Sequence, residues 1–282
     1  MAVIRFRSLV FALPLLASGA ADIAHSVQGV DQAGTGVFAS NRVYSAGLYE
    51  RRYVQTADGS VIWLNAGASI IVCFTTEVRS VVLLSGEALF IVKHDSRHPF
   101  RVFSGRSVAE DVGTVFEVTK KPTSTTFLVA EGEIAVFDSA HLGLESSRKA
   151  VPNYDEVPQY RRGDQVEISD ESGAQLRHSY LADDNLSNAL AWKDGRVRFA
   201  QTPLDEAVAE FNHYSQIKIE LAPDVQQLGL RVSGSFVFDD ADAFAAGMMH
   251  EWALHARESA GSEGNRVIVL TSEPGGRHSK RN

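Results

Sequence analysis

The chain is poor in the groups that most proteins of its length use for chemistry. It has one cysteine, Cys73, among 282 residues, so neither an internal disulfide nor a cysteine-built metal site is available. Cys73 sits in the apolar run Ile70–Phe74 with no basic neighbour or helix start to activate it, and it reads as a small buried hydrophobe rather than a redox thiol. There is no Gly-x-Ser-x-Gly elbow, no His-Glu-x-x-His and no phosphate-binding loop with a following Lys-Ser/Thr. A basic excess is also missing: the net charge is −8, which speaks against nucleic acid as a partner. Hydrophobic residues make up 44%, ample for a core, and the length suits one large or two small domains.

Residues 191–270 are the most patterned stretch. Val197 and Phe199 stand two apart, as on one face of a strand. Thr202 is placed to cap a helix, with Pro203 at its first position and Asp205 in its first turn. Leu204, Val208 and Phe211 then recur at helical spacing. Ile217, Ile219 and Leu221 alternate like a strand, and Val232–Phe236 reads as another. A second helix is expected from about Asp240 to His255, with Phe244, Met248 and Trp252 on one face, before a last strand at Val267–Leu270. The expected unit is a small α/β domain of order strand, helix, strand, strand, helix, strand.

At the other end, Arg5 and Arg7 precede an apolar run from Ser8 to Ala21, followed by small residues and Asp22. At about 14 residues the run is short of the ~20 that span a bilayer. Residues 1–25 therefore read as a secretory signal peptide or a shortened membrane anchor, with everything beyond them exported. Residues 26–50 are expected to be a linker.

Between them, residues 51–138 form a series of short strands cut by Gly and Asp turns, which favours an all-β sandwich or roll. Asp58-Gly59 between Tyr53–Thr56 and Val61–Leu64 is a strong hairpin signal. Ser69–Phe74 and Val78–Leu84 follow as strands, and Ser85-Gly86-Glu87 reads as a turn into Ala88–Val92. Gly86, Gly113 and Gly132 are expected at positions of unusual φ. His94-Asp95-Ser96-Arg97-His98 precedes Pro99, so it lies in a loop, where its histidines serve a hydrogen-bond network or else a ligand-sensing or metal role. Residues 139–190 read as a polar connector with a strand near 160–168, and 271–282 as a disordered tail.

These pieces together resemble the FecR family. The motifs are Thr56-x-Asp58-Gly59-Ser60-x-x-x-Leu64-Asn65-Ala66, Leu84-Ser85-Gly86-Glu87-Ala88-Leu89-Phe90, Pro99-Phe100-x-Val102, Gly113-Thr114-x-Phe116-x-Val118 and Val129-x-Glu131-Gly132-x-Ile134. Trp192-x-x-Gly195, Pro203-Leu204-x-Glu206, Glu210-Phe211-Asn212-x-Tyr214 and Val232–Phe236 continue the likeness. The C-terminal unit also resembles the short domain at the N-terminus of secretins and TonB-dependent transducers.

The resemblance implies a periplasmic, non-enzymatic regulator of an extracytoplasmic-function sigma factor, without cofactor or metal. Its partner would be the signalling domain of an outer-membrane TonB-dependent transducer, in the family typically one for iron-chelate transport. The protein would be anchored to the inner membrane if the N-terminus is uncleaved. Sigma-inhibiting members carry a cytoplasmic helical domain before the span, whereas few residues precede the apolar run here, so contact with a sigma factor is expected only if such a domain lies upstream. An alternative is a cell-envelope scaffold with no sigma-factor link. A cell-wall hydrolase would need an active-site pair that nothing in the sequence selects. Strand addition at a sheet edge is the expected mode of docking, with Phe199, Val232, Ser233, Gly234, Ser235 and Phe236 as the candidate surface. The bland reading is that Phe199, Leu204 and Phe211 are core.

Overall fold

In the computed structural model, which describes residues 41–111, 113–139, 157–170, 176–261 and 264–272, the strand-and-turn pattern closes into two facing sheets. The expected leader (1–25), residues 26–40 of the expected linker, residues 140–156 and 171–175 of the expected connector and the tail beyond Ser272 lie outside the described residues. The strands are β1 (Arg42–Ser45), β2 (Arg52–Gln55), β3 (Val61–Leu64), β4 (Ser69–Phe74), β5 (Arg79–Ile91), β6 (Phe100–Ser104) and β7 (Ser107–Asp111). They continue as β8 (Val115–Lys120), β9 (Ser124–Glu131), β10 (Glu133–Asp138), β11 (Gln159–Arg161), β12 (Asp164–Ser169) and β13 (Leu176–Tyr180).

The first sheet runs β1-β4-β5-β6-β7-β10-β11 and the second β2-β3-β5-β8-β9-β12-β13. Neighbours are antiparallel except β5 and β6, which run parallel. Strand β5 belongs to both sheets: Arg79–Ser85 pairs with β4, while Gly86–Ile91 pairs with β8. Alternate residues of each sheet point inward, so Phe90, Phe116 and Phe127 from one meet Ile70, Phe100 and Val102 from the other, all essentially inaccessible. Each such side chain contributes roughly 1.5–3 kcal/mol by leaving water.

Several expectations are corrected here. Ser85-Gly86-Glu87 does not reverse the chain: it is the bend at which β5 leaves one sheet for the other. Gly86 holds φ +77° there, and a Cβ on it would lie 2.7 Å from the Ala68 backbone. That close approach and the left-handed φ both require glycine. The expected linker 26–50 contains β1, which pairs with β4 along its full length. The expected strand near 160–168 is two strands, one in each sheet, and β13 beyond it is the true sheet edge. The Asp58-Gly59 hairpin forms as read, with Gln55 opposite Val61.

The C-terminal unit comprises α1 (Asp183–Ala189), a 3-10 turn (Ala191–Asp194), β14 (Arg196–Pro203), α2 (Leu204–Tyr214), β15 (Lys218–Leu221), α3 (Pro223–Gln226), β16 (Arg231–Val237), α4 (Ala241–Trp252), β17 (His255–Ala260) and β18 (Arg266–Thr271). β14 and β16 form an antiparallel ribbon, and β15-β18-β17 a second sheet with β15 and β18 parallel. Helix α2 begins at Leu204 with Pro203 as N-cap, so Thr202 lies within β14 instead of capping the helix. Helix α4 is capped by the Asp240 side chain, which accepts from the Ala243 amide at 2.9 Å. It ends at Ala253 with φ +52°, short of His255, which opens the additional strand β17.

Leu204, Val208 and Phe211 line the buried face of α2 and pack with Phe244 and Met248 of α4. This core does not stop at the C-terminal unit. Ala66 and Leu89 belong to it, with Trp63 and Val115 against its margin. The outward face of the second sheet is therefore one wall of the C-terminal core.

Candidate functional site

The docking strand expected from the sequence exists, but its residues divide into two groups. In the β14–β16 ribbon Phe199 faces Gly234, Arg198 faces Ser235 and Val197 faces Phe236. Phe199 is 7% exposed and Val232 1%. Phe199 lies 5.9 Å from Phe236 and 6.2 Å from Phe244 between ring centroids, so it is core rather than surface. Phe199 and Val232 are removed from the candidate surface on that ground. Ser233, Gly234 and Ser235 are exposed and Phe236 is half-buried. Arg196 braces the strand from β14: its Nε donates to Ser235 Oγ at 2.8 Å and its Nη2 to the Ser235 carbonyl at 2.9 Å. Among the described residues β16 pairs only with β14, which leaves its outer edge open.

The seam between the two halves brings Asn65, Glu87, Trp192 and Tyr214, which the sequence shows only as motif positions, together with Glu117 and Thr119, which it does not single out. Trp192, 3% exposed, donates from Nε1 to Glu117 Oε2 at 2.7 Å. Asn65 donates from Nδ2 to Glu87 Oε2 and to the Tyr214 hydroxyl, the latter at 2.9 Å. Thr119 Oγ1 donates to Glu87 Oε1 at 3.1 Å. Two open clefts flank this cluster, one of about 340 Å³ beside β14 and α2, the other of about 610 Å³ over β8, β9, β12 and β13, and Glu87 lines both. Burial first, then the charge of Glu87, pushes the Tyr214 phenol above its ordinary value.

Away from the seam, two further polar clusters are bonded within the body. Asp58, in the hairpin turn, accepts from Thr56 and Ser60 and from Arg79 Nη1 at 2.7 Å. Burial raises its carboxyl, but those hydrogen bonds outweigh it and hold it below the usual range. The His94–His98 segment is a loop in which His98 Nδ1 lies 2.7 Å from Asp95 Oδ2, a bond that helps hold Asp95 down to about 2. Cys73 is half-buried rather than sealed, and burial pushes its thiol up. Among the described residues no three His, Cys, Asp or Glu side chains converge as a metal site, and no helix is long and apolar enough to cross a membrane.

What this geometry defines is a two-sheet body with an α/β adaptor seated on one outer face and an open strand on that adaptor. Residues 42–135 match the family model of the FecR protein, and the chain carries a FecR domain. Two crystal structures of a candidate anti-sigma factor from Parabacteroides distasonis share the fold. They superpose with TM-scores of 0.56 and 0.57 at 21% identity, covering 82% and 83% of this chain and 100% of each of those chains. No curated protein matches the chain.

Proposed function

We propose that the protein is a non-enzymatic regulator of an extracytoplasmic-function sigma factor, working in the cell envelope by protein–protein contact. The FecR domain at 42–135 carries this reading, and the fold shared with a candidate anti-sigma factor supports it. In it, the C-terminal unit receives the signalling domain of an outer-membrane TonB-dependent transducer at the open edge of β16. An incoming strand there satisfies free backbone N–H and C=O groups, while the flanking side chains set specificity. Ser233, Gly234 and Ser235 form the exposed lip. The body is placed in the periplasm, held to the inner membrane or freed by signal cleavage.

The test uses residues 37–282, because Ala66 and Leu89 complete the C-terminal core and a fragment without them would expose it. Such a chain should co-purify with a transducer signalling domain. Ser235→Asp, whose new charge can pair with Arg196, should fold and lose the partner. Failure of the unaltered chain to bind any such domain overturns the docking reading. Separately, a C-terminal tag that leaves the cell on osmotic shock marks a cleaved leader, and one that stays with the inner membrane an anchor. Retention in the cytosol contradicts the placement.

A further inference from the structure

Glu87 and Glu117 take no part in the docking just described, yet they occupy the centre of the seam. In register, Glu87 faces Thr119 and Leu89 faces Glu117, so the two carboxyl groups are diagonal neighbours on the outward face of adjacent strands. Diagonal neighbours on one face are within reach of each other, and two carboxyls that meet there can share a hydrogen bond only if one carries a proton. Glu117 is 5% exposed and spends Oε2 on the indole of Trp192, which leaves its other oxygen to carry that proton. Glu87 receives its remaining bonds from Asn65 and Thr119. The pair thus joins β5 and β8 of the body to the Trp192 turn and, through Asn65, to Tyr214 on α2.

Charged groups of both signs line the clefts around the pair. From α2, Glu206 and Glu210 line the smaller cleft together with Arg196 and Arg198 of β14. The larger cleft is lined by Lys121, Glu167, Arg177 and His178. Lys121 and Arg177 lie 3.7 and 3.9 Å from Glu167, and His178 lies 2.8 Å from Asp164. Burial, then the charge of Glu87, pushes Glu117 well above the ordinary carboxylate value. Burial also raises Glu87, against bonds from Asn65, Thr119 and Glu117 that lower it. Because Glu87 lines both clefts, the proton can exchange with solvent without global unfolding.

We propose that Glu87 and Glu117 form a one-proton latch that seats the C-terminal unit on the FecR domain, and that loss of the shared proton unseats it at Trp192 and Tyr214. With the proton gone, two adjacent carboxylates repel, one buried and one half-buried, and among the described residues no cation is bonded to either to replace it. The seated state binds a proton that the open state gives up near the ordinary carboxylate value. Seating is therefore strongest below that value and weakens as pH rises, until the last proton of the pair has left.

The test is hydrogen exchange of the Trp192 indole N–H in residues 37–282, compared with Glu117→Gln at each pH. The glutamine keeps an acceptor for Trp192 and a donor for Glu87, holds no titrating proton, and cancels the intrinsic pH dependence of exchange. Wild type should exchange faster relative to this variant by up to about tenfold for each pH unit above the ordinary carboxylate range, then level off. A ratio that stays flat from about pH 5 to about pH 9 overturns the latch. Should Glu117→Gln fail to fold, Glu87→Gln gives the same comparison, since its amide donates to Glu117. A ratio that rises against neither variant refutes the proposal.

Discussion

Tyr214 lies flat on Phe238, ring centroids 3.9 Å apart and planes 3° from parallel, while its hydroxyl accepts from Asn65 at 2.9 Å. One side chain thus packs α2 against its own unit and ties it to the loop between β3 and β4. Tyr214→Phe keeps the stack and removes only the hydroxyl. It should cost about 1–2 kcal/mol, because the Asn65 amide loses a partner in a half-dry seam. Tyr214→Ala should cost about 3–5 kcal/mol, as other buried aromatic truncations do. Urea midpoints at constant m-value measure both.

The bend in β5 gives a sharper contrast. Gly86→Ala places a methyl group against backbone atoms of Ala68 at a φ that costs an L-residue about 1–2 kcal/mol on its own. Gly229→Ala also sits at positive φ, +61°, but a Cβ there meets nothing within 4 Å. Gly86→Ala should destabilise the chain by clearly more than Gly229→Ala, and equal shifts would show that the bend relaxes around a side chain.

Arg79 ties two loops together, the β2–β3 turn and the β5–β6 loop. It donates to Asp58 at 2.7 Å, to the His98 carbonyl at 2.7 Å and to the Lys93 carbonyl at 2.8 Å, with its side chain 5% exposed. Arg79→Ala should cost about 3–5 kcal/mol, since it leaves the Asp58 carboxylate without its cation and two carbonyls without this donor. The folded-state value of Asp58 lies below its ordinary 3.8. Its contribution is therefore present above that value and is lost as pH falls through the lower, folded one. Asp58→Asn should remove that part of the acid sensitivity, as read from thermal midpoints across acidic pH.

The shared core makes a further prediction about cooperativity. Because Ala66, Leu89 and Trp63 sit on the body but pack with the C-terminal core, residues 37–282 should unfold in one transition by tryptophan fluorescence and by far-ultraviolet circular dichroism alike. A chain ending at Leu181 should bare that apolar wall and bind a hydrophobic dye in the folded state. Two separated transitions in the longer chain would contradict a continuous core.

What the sequence disclosed, and what it hid, follows from where the information lies. The Asp58-Gly59 hairpin and the helix faces of Leu204, Val208 and Phe211 are local patterns, and they fold as read. The β5 bend is hidden because Ser-Gly-Glu has the chemistry of a reversing turn, and only the second sheet decides that the chain continues. Strand β17 is hidden because His-Ala-Arg-Glu-Ser-Ala is exposed at every position, so it carries no alternation. In the sequence Glu87 looks like a turn carboxyl and Glu117 like a solvent-facing one on a strand. They become a pair only once β5 and β8 are in register and Trp192, far along the chain, covers them. Phe199 and Val232 were drawn to the candidate surface by their place in an edge ribbon, but their side chains point to the core.

The most direct measurement of the docking claim is backbone amide exchange along β16, in residues 37–282, as a transducer signalling domain is added. Slowed exchange at Ser233, Gly234 and Ser235, with β17 unchanged, is the expected result. Binding that leaves β16 exchange untouched, or protects the β13 or β17 edge instead, would contradict it.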